Sequence, residues 1–109
     1  MQDRQNVSER NDDFRRLLEQ VRSGSQDAAR ELIQSYAPHV LRAVRRKLHK
    51  AIRVKFDSLD FVQAVWVSFF TVPEHFDRFS KPEQMIAFLT RTAYNKVVDE
   101  IRRRMETKK

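Results

Sequence analysis

A chain of 109 residues is enough for one domain, and 40% hydrophobic residues, with eight Phe and one Trp among them, can fill a core. One Gly and three Pro leave too little turn material for an all-β fold, and the absence of Cys excludes disulfides, thiolate zinc sites and a thiol nucleophile. The net charge of +7 points towards polyanionic partners.

Residues 1–10 are polar and are expected to be disordered. Phe14, Leu17, Leu18 and Val21 recur at i, i+3, i+4 and i+7 and predict a first helix over 11–21. Ser23-Gly24-Ser25 breaks it, and Ser25 is placed to cap a second helix over 26–36 that buries Ala29, Leu32, Ile33 and Tyr36. Pro38 disfavours the helical conformation of the residue before it and marks a kink or a new start. A third helix over 38–52 then turns Val40, Leu41, Val44 and Leu48 inward and Arg42, Arg45, Arg46, Lys47 and Lys50 outward.

The stretch 57–71 predicts a fourth helix with two faces. Asp57 suits the N-cap, and Asp60 adds negative charge to the first turn. Phe61, Val62, Val65, Trp66 and Phe69 form a buried stripe. Asp60, Gln63, Ala64 and Val67 form a second stripe at i, i+3, i+4 and i+7. It is only mildly polar, whereas a helix that merely covers a core turns a strongly charged face to water. Such a face suits docking of another protein.

Residues 71–79 are a connecting loop containing Phe76 and Phe79. Ser80-Lys-Pro-Glu83 reads as a capping box that opens a long fifth helix to about residue 105, with Ile86, Leu89, Ala93, Val97 and Ile101 on its core line. Phe88, Arg91, Asn95 and Arg102 share one narrow sector of the other side. The expected architecture is therefore all-α: a compact bundle of about four to five helices with a long C-terminal helix, fraying at Lys108-Lys109.

Charge follows these elements. Residues 41–55 hold seven basic and no acidic side chains, residues 56–80 one basic and four acidic, and residues 81–109 eight basic and four acidic. Two basic segments around an acidic one suggest a nucleic-acid surface and a separate protein-docking surface; the plainer alternative is that the basic runs are solvated faces. An amide in line with arginines and an aromatic ring suits a nucleobase, because the amide reads its edge, the ring stacks and the arginines hold phosphates. No catalytic constellation is visible: His39, His49 and His75 are scattered, no HExxH pattern occurs, and neither enzyme activity nor a metal or other cofactor is expected. No apolar run approaches the roughly 18 residues of a membrane span, and the polar N-terminus has no signal-peptide core, so a cytoplasmic protein is the expectation.

Taken together, the motifs resemble region 2 of a bacterial RNA polymerase sigma factor of the extracytoplasmic-function, sigma-70-like, type. Asp57-x-x-Asp-Phe-Val-Gln63 resembles the Asp-(Leu/Val)-Val-Gln helix of that family. Phe79, Phe88-Leu89, Arg91, Ala93 and Asn95 follow its Phe-(loop)-(aromatic)-Leu-x-Arg-x-Ala-x-Asn block without a gap, and residues 98–104 resemble its (Ile/Val)-Asp-x-(Leu/Ile)-Arg-Arg ending. Upstream, Asp27-Ala28-Ala29 and Tyr36-Ala37-Pro38 resemble region 2.1 and the segment before it. Ala64 stands where the family commonly has Glu, Phe88 where it has Trp, and the Ser80-Lys-Pro loop lacks the frequent glycines.

The resemblance implies a promoter-recognition module over residues 11–106. It implies docking on the β′ clamp of core RNA polymerase through Asp60, Gln63, Ala64 and Val67. It further implies recognition and melting of the −10 element, with a non-template base extruded into a pocket at about residues 79–83. Arg42, Arg45, Arg46, Phe79, Ser80, Lys81, Phe88, Arg91, Asn95 and Arg102 would contact DNA. An anti-sigma protein is a further partner that the resemblance admits, and the nucleoid of a bacterial cytoplasm is the implied location. In that family a second helical domain, region 4, reads the −35 element; nothing here supplies it, so a fragment of a longer protein is expected. The competing readings are a stand-alone helical DNA-binding regulator and a helical adaptor without a nucleic-acid role.

Overall fold

The computed structural model describes residues 2–50 and 57–107, and these form four α-helices and one 3₁₀ turn with no strand among them. They are α1 (Gln2–Arg22), α2 (Gln26–Lys50), α3 (Ser58–Thr71), the 3₁₀ turn Pro73–Asp77 and α4 (Pro82–Thr107). The all-α bundle with a long last helix is as the sequence reading expects.

Two boundaries differ from that reading. The first helix begins at Gln2 rather than residue 11, so the polar segment expected to be disordered is helical from Gln2 onward. Its Gln, Arg and Glu are adequate helix formers and extend the turns already nucleated by the packed residues beyond them. The second and third helices are one: α2 runs through Pro38 without ending. Pro38 removes the hydrogen bond to the carbonyl of Gln34, but both residues lie on the exposed face, where water can satisfy that oxygen. Leu32 and Val40 on either side are completely buried, and this packing outweighs the local cost. The expected end at Ile52, the basic residues Arg53 and Lys55, and Lys108-Lys109 lie outside the described residues.

α1 and α2 are joined by three residues. Gly24, at φ +97°, takes the left-handed conformation in which a Cβ is strained, and closes α1 with Ser25 N–H donating to the Gln20 carbonyl and Gly24 N–H to that of Val21, both at 3.0 Å. Ser25 then caps α2, its Oγ accepting from Ala28 N–H at 3.1 Å. Asp57 caps α3 as expected, accepting from Leu59 N–H at 2.9 Å. The start of α4 needs a correction. Helix begins at Pro82, so the third helical position is Gln84 rather than Glu83. The Gln84 Oε1 accepts from Ser80 N–H at 2.8 Å and Lys81 N–H at 3.3 Å.

α2 is the central element: it packs against α1, α3 and α4, and α3 also packs on α4. The core combines Phe14, Leu18 and Val21 of α1, Leu32, Val40, Val44 and Leu48 of α2, and Met85, Leu89, Ala93 and Val97 of α4. α3 contributes Phe61, Val62, Val65, Trp66 and Phe69, all five of the stripe read from sequence. Ala29, Ile33, Tyr36, Leu41 and Ile101 pack on this core while remaining partly exposed. Met85, fully buried, takes the innermost place at the start of α4 that the sequence reading gave to Ile86, which is half-buried.

Candidate polymerase and nucleic-acid interface

Burying Phe61, Val62, Val65, Trp66 and Phe69 leaves the other arc of α3 facing outward. Asp60 and Gln63 are exposed, Val67 is 66% exposed, and Leu59, one turn before Gln63, is 57% exposed. Two apolar side chains thus stand in water beside an acid and an amide, on a helix that carries no basic residue. Ala64 is half-buried and lines a shallow groove between α3 and α4 with Phe61, Lys96, Asp99, Glu100 and Arg103. Hydrogen bonds from Arg103, at 2.6 Å, and from Arg104, at 3.2 Å, hold the Glu100 carboxyl below its ordinary range.

Phe69, at the inner end of α3, organises the connection to α4. His75 stacks on it at 5.7 Å between ring centroids, Phe76 meets it edge-on at 5.4 Å, and Phe79 lies parallel at 6.5 Å. Phe88 of α4 closes the cluster at 4.6 Å from His75 and 5.5 Å from Phe79. His75 Nδ1–H donates to the Phe69 carbonyl at 3.1 Å, which fixes the tautomer by its partner. At the edge, Arg22 of α1 reaches Asp77 at 2.7 Å; both are more than half exposed, so the pair orients the turn more than it stabilises it. Phe79 and Phe88 are therefore brought together, but both rings are half-buried in this cluster rather than open to a ligand.

Ser80 and Lys81, immediately after the cluster, are exposed. They line a depression whose other wall is α1, through Val7, Ser8, Asn11, Asp12 and Arg15. Along α4, Arg91 and Asn95 are exposed and line a second shallow depression with Ala87, Thr90 and Tyr94. Arg102 is exposed on the same helix, seven residues and about 10 Å beyond Asn95, and does not line that depression. Arg42, Arg45 and Arg46 are exposed on α2. Lys47, expected on that solvent face, is instead half-buried, with Nζ 3.8 Å above the centre of the Tyr94 ring.

Tyr94 is the residue that sequence reasoning missed. It is 49% exposed, the one exposed aromatic ring among the described residues. The signal was present in the sequence, since Ala87, Arg91, Tyr94 and Asn95 fall at i, i+4, i+7 and i+8.

Among the described residues no group of three or more His, Asp or Glu is placed to hold a metal, and no helix is long and apolar enough to cross a membrane. Comparison with curated proteins gives no match, and comparison with solved structures gives none. A protein-family comparison matches residues 11–109 to the family described as ECF sigma factor. Members of that family are non-enzymatic factors of transcription initiation that work with RNA polymerase and promoter DNA. With all but the first ten residues matched, the chain belongs to the ECF sigma factor family.

Proposed function

We propose that residues 11–106 form the region 2 module of an alternative sigma factor, which docks on the β′ clamp helices of core RNA polymerase and recognises the −10 element as it opens. The observation that carries this reading is the segregation of two unlike faces. Asp60, Gln63 and Val67 stand on a helix without basic residues, whereas Arg42, Arg45, Arg46, Arg91, Asn95 and Arg102 stand on α2 and α4. One face suits a protein helix with basic and apolar side chains, the other a DNA strand.

On the DNA side the roles divide by chemistry. The Asn95 amide, presenting both a donor and an acceptor, reads a base edge, while Arg42, Arg45 and Arg46 hold phosphates and carry no sequence information. Ser80 and Lys81, at the rim of a depression walled by α1, receive the extruded base, and the aromatic cluster beneath them gives that loop a firm base. Such a factor acts in the bacterial cytoplasm, at the nucleoid.

The two kinds of contact separate by mutation. Asn95→Ala is expected to reduce discrimination at one position of a single-stranded −10 oligonucleotide by roughly 5- to 100-fold, leaving other positions unaffected. Arg45→Ala is expected to weaken all sequences alike and to make the salt dependence shallower by about one phosphate contact. Fluorescence-anisotropy titrations over several salt concentrations measure both, and equal, sequence-independent losses from the two variants would count against base reading by Asn95.

A further inference from the structure

We propose that Tyr94, braced by Lys47, is a stacking platform for an unpaired base of the DNA strand, neighbouring the base whose edge Asn95 reads. The inference rests on the region 2 reading above and adds a residue and an orientation device to it.

Three observations meet at this point. Tyr94 keeps about half its surface exposed, whereas the rings of Phe69, Phe76, Phe79 and Phe88 are spent on one another in the cluster below. The Lys47 ammonium sits 3.8 Å above the Tyr94 ring centre, tying α2 to α4 and placing a positive charge beside the depression. That depression joins the ring to Arg91 and Asn95 over the small side chains Ala87 and Thr90. A flat ring, an amide and a guanidinium around a shallow floor, with an ammonium over the ring, match the parts of a nucleotide: base face, base edge and flanking phosphates.

Lys47 has a definite part in this. A Tyr on a helix surface samples several rotamers, and stacking a base on it costs the entropy of choosing one. The ammonium over one face restricts the ring before the strand arrives, so less entropy is lost on binding. It also joins α4 to the exposed arginines of α2, since Arg46 directly precedes Lys47. Phe88, which the resemblance places among the DNA contacts, is half-buried against His75 and Phe79 and is less able to serve.

The test uses the full 109-residue chain and single-stranded 12-mers in which 2-aminopurine is moved through each position. Stacking on an aromatic ring quenches 2-aminopurine locally, a readout that a merely structural tie does not produce. The expected result is quenching at one position by the wild type, kept in Tyr94→Phe and lost in Tyr94→Leu. The leucine variant should bind about tenfold more weakly. Lys47→Met should weaken the quench at that position and flatten the salt dependence. Thermal melting should be unchanged within a few degrees in all three, because none of these positions is in the core. Wild-type quenching in Tyr94→Leu, with Asn95→Ala still impaired, would overturn the platform and leave the region 2 reading standing. Equal losses in the leucine and phenylalanine variants with matching losses of melting temperature would reduce Tyr94 to a tie between helices. Absence of strand binding by the wild type, alone and with core polymerase, would remove both.

Discussion

Phe69→Ala is expected to lower the unfolding free energy by about 3–5 kcal/mol, the range for removing a buried phenylalanine. The ring is 1% exposed and packs against His75, Phe76, Phe79 and Phe88, with ring centroids 5.7, 5.4, 6.5 and 6.4 Å away. Its loss therefore creates a cavity and unseats the segment that links α3 to α4. Against a total stability of about 5–15 kcal/mol, this is a large fraction. A domain of this size should melt roughly 15–25 °C lower, read by circular dichroism at 222 nm. Phe70→Ala, in which the lost ring is only half-buried, should cost much less. A shift of only a few degrees for Phe69→Ala would mean that the loop carrying Ser80 and Lys81 is held by something other than this cluster.

Val67→Asp is expected to do the reverse, leaving the fold intact while disabling the docking face. Val67 is 66% exposed, so a carboxylate there stays hydrated in the free protein and melting should change by no more than a few degrees. In a complex with the clamp helices the same carboxylate would lose its water without a built partner, on the face that already carries the negative charge of Asp60 about 10 Å away. A penalty of about 2 kcal/mol or more, roughly a thirtyfold loss of affinity, is expected in a titration against those helices. An unchanged affinity would place the polymerase contact elsewhere on the molecule.

The parts of the fold that were legible in sequence are those where one rule acted alone. α3 is the clearest case: a cap, a strict apolar stripe and no interrupting residue gave its start, its end and all five buried side chains. The continuity of α2 was legible too, because Leu32, Tyr36, Val40, Val44 and Leu48 recur every four residues in an unbroken phase across Pro38. Giving the local proline rule precedence over that phase produced the extra boundary. The helical segment 2–10 carries a single apolar side chain, Val7, and thus offers no periodicity to read. At the start of α4, Pro82 at the first helical position sets the frame, and counting from Ser80 instead moved the reach-back role one residue early, to Glu83.

For the candidate site, the exposure of single residues was legible and their tertiary surroundings were not. Asp60, Gln63, Arg91 and Asn95 are exposed on the faces that helical periodicity assigns them. Phe88 and Phe79 read from sequence as ligand contacts, but the cluster around Phe69 that half-buries them is a tertiary arrangement that no spacing along one helix discloses. The same holds for Lys47 over Tyr94, which joins residues 47 positions apart.

The docking role of α3 is decided by retention of isolated β′ clamp helices from a bacterial RNA polymerase on the immobilised chain. The wild type should be compared with the Asp60→Ala, Gln63→Ala double variant, after both are shown to melt alike. Retention by the wild type and its loss in the double variant are expected, because both side chains are exposed on α3 and neither supports the core. Equal retention by the two proteins, or no retention by the wild type, would contradict the assignment of this face to the polymerase.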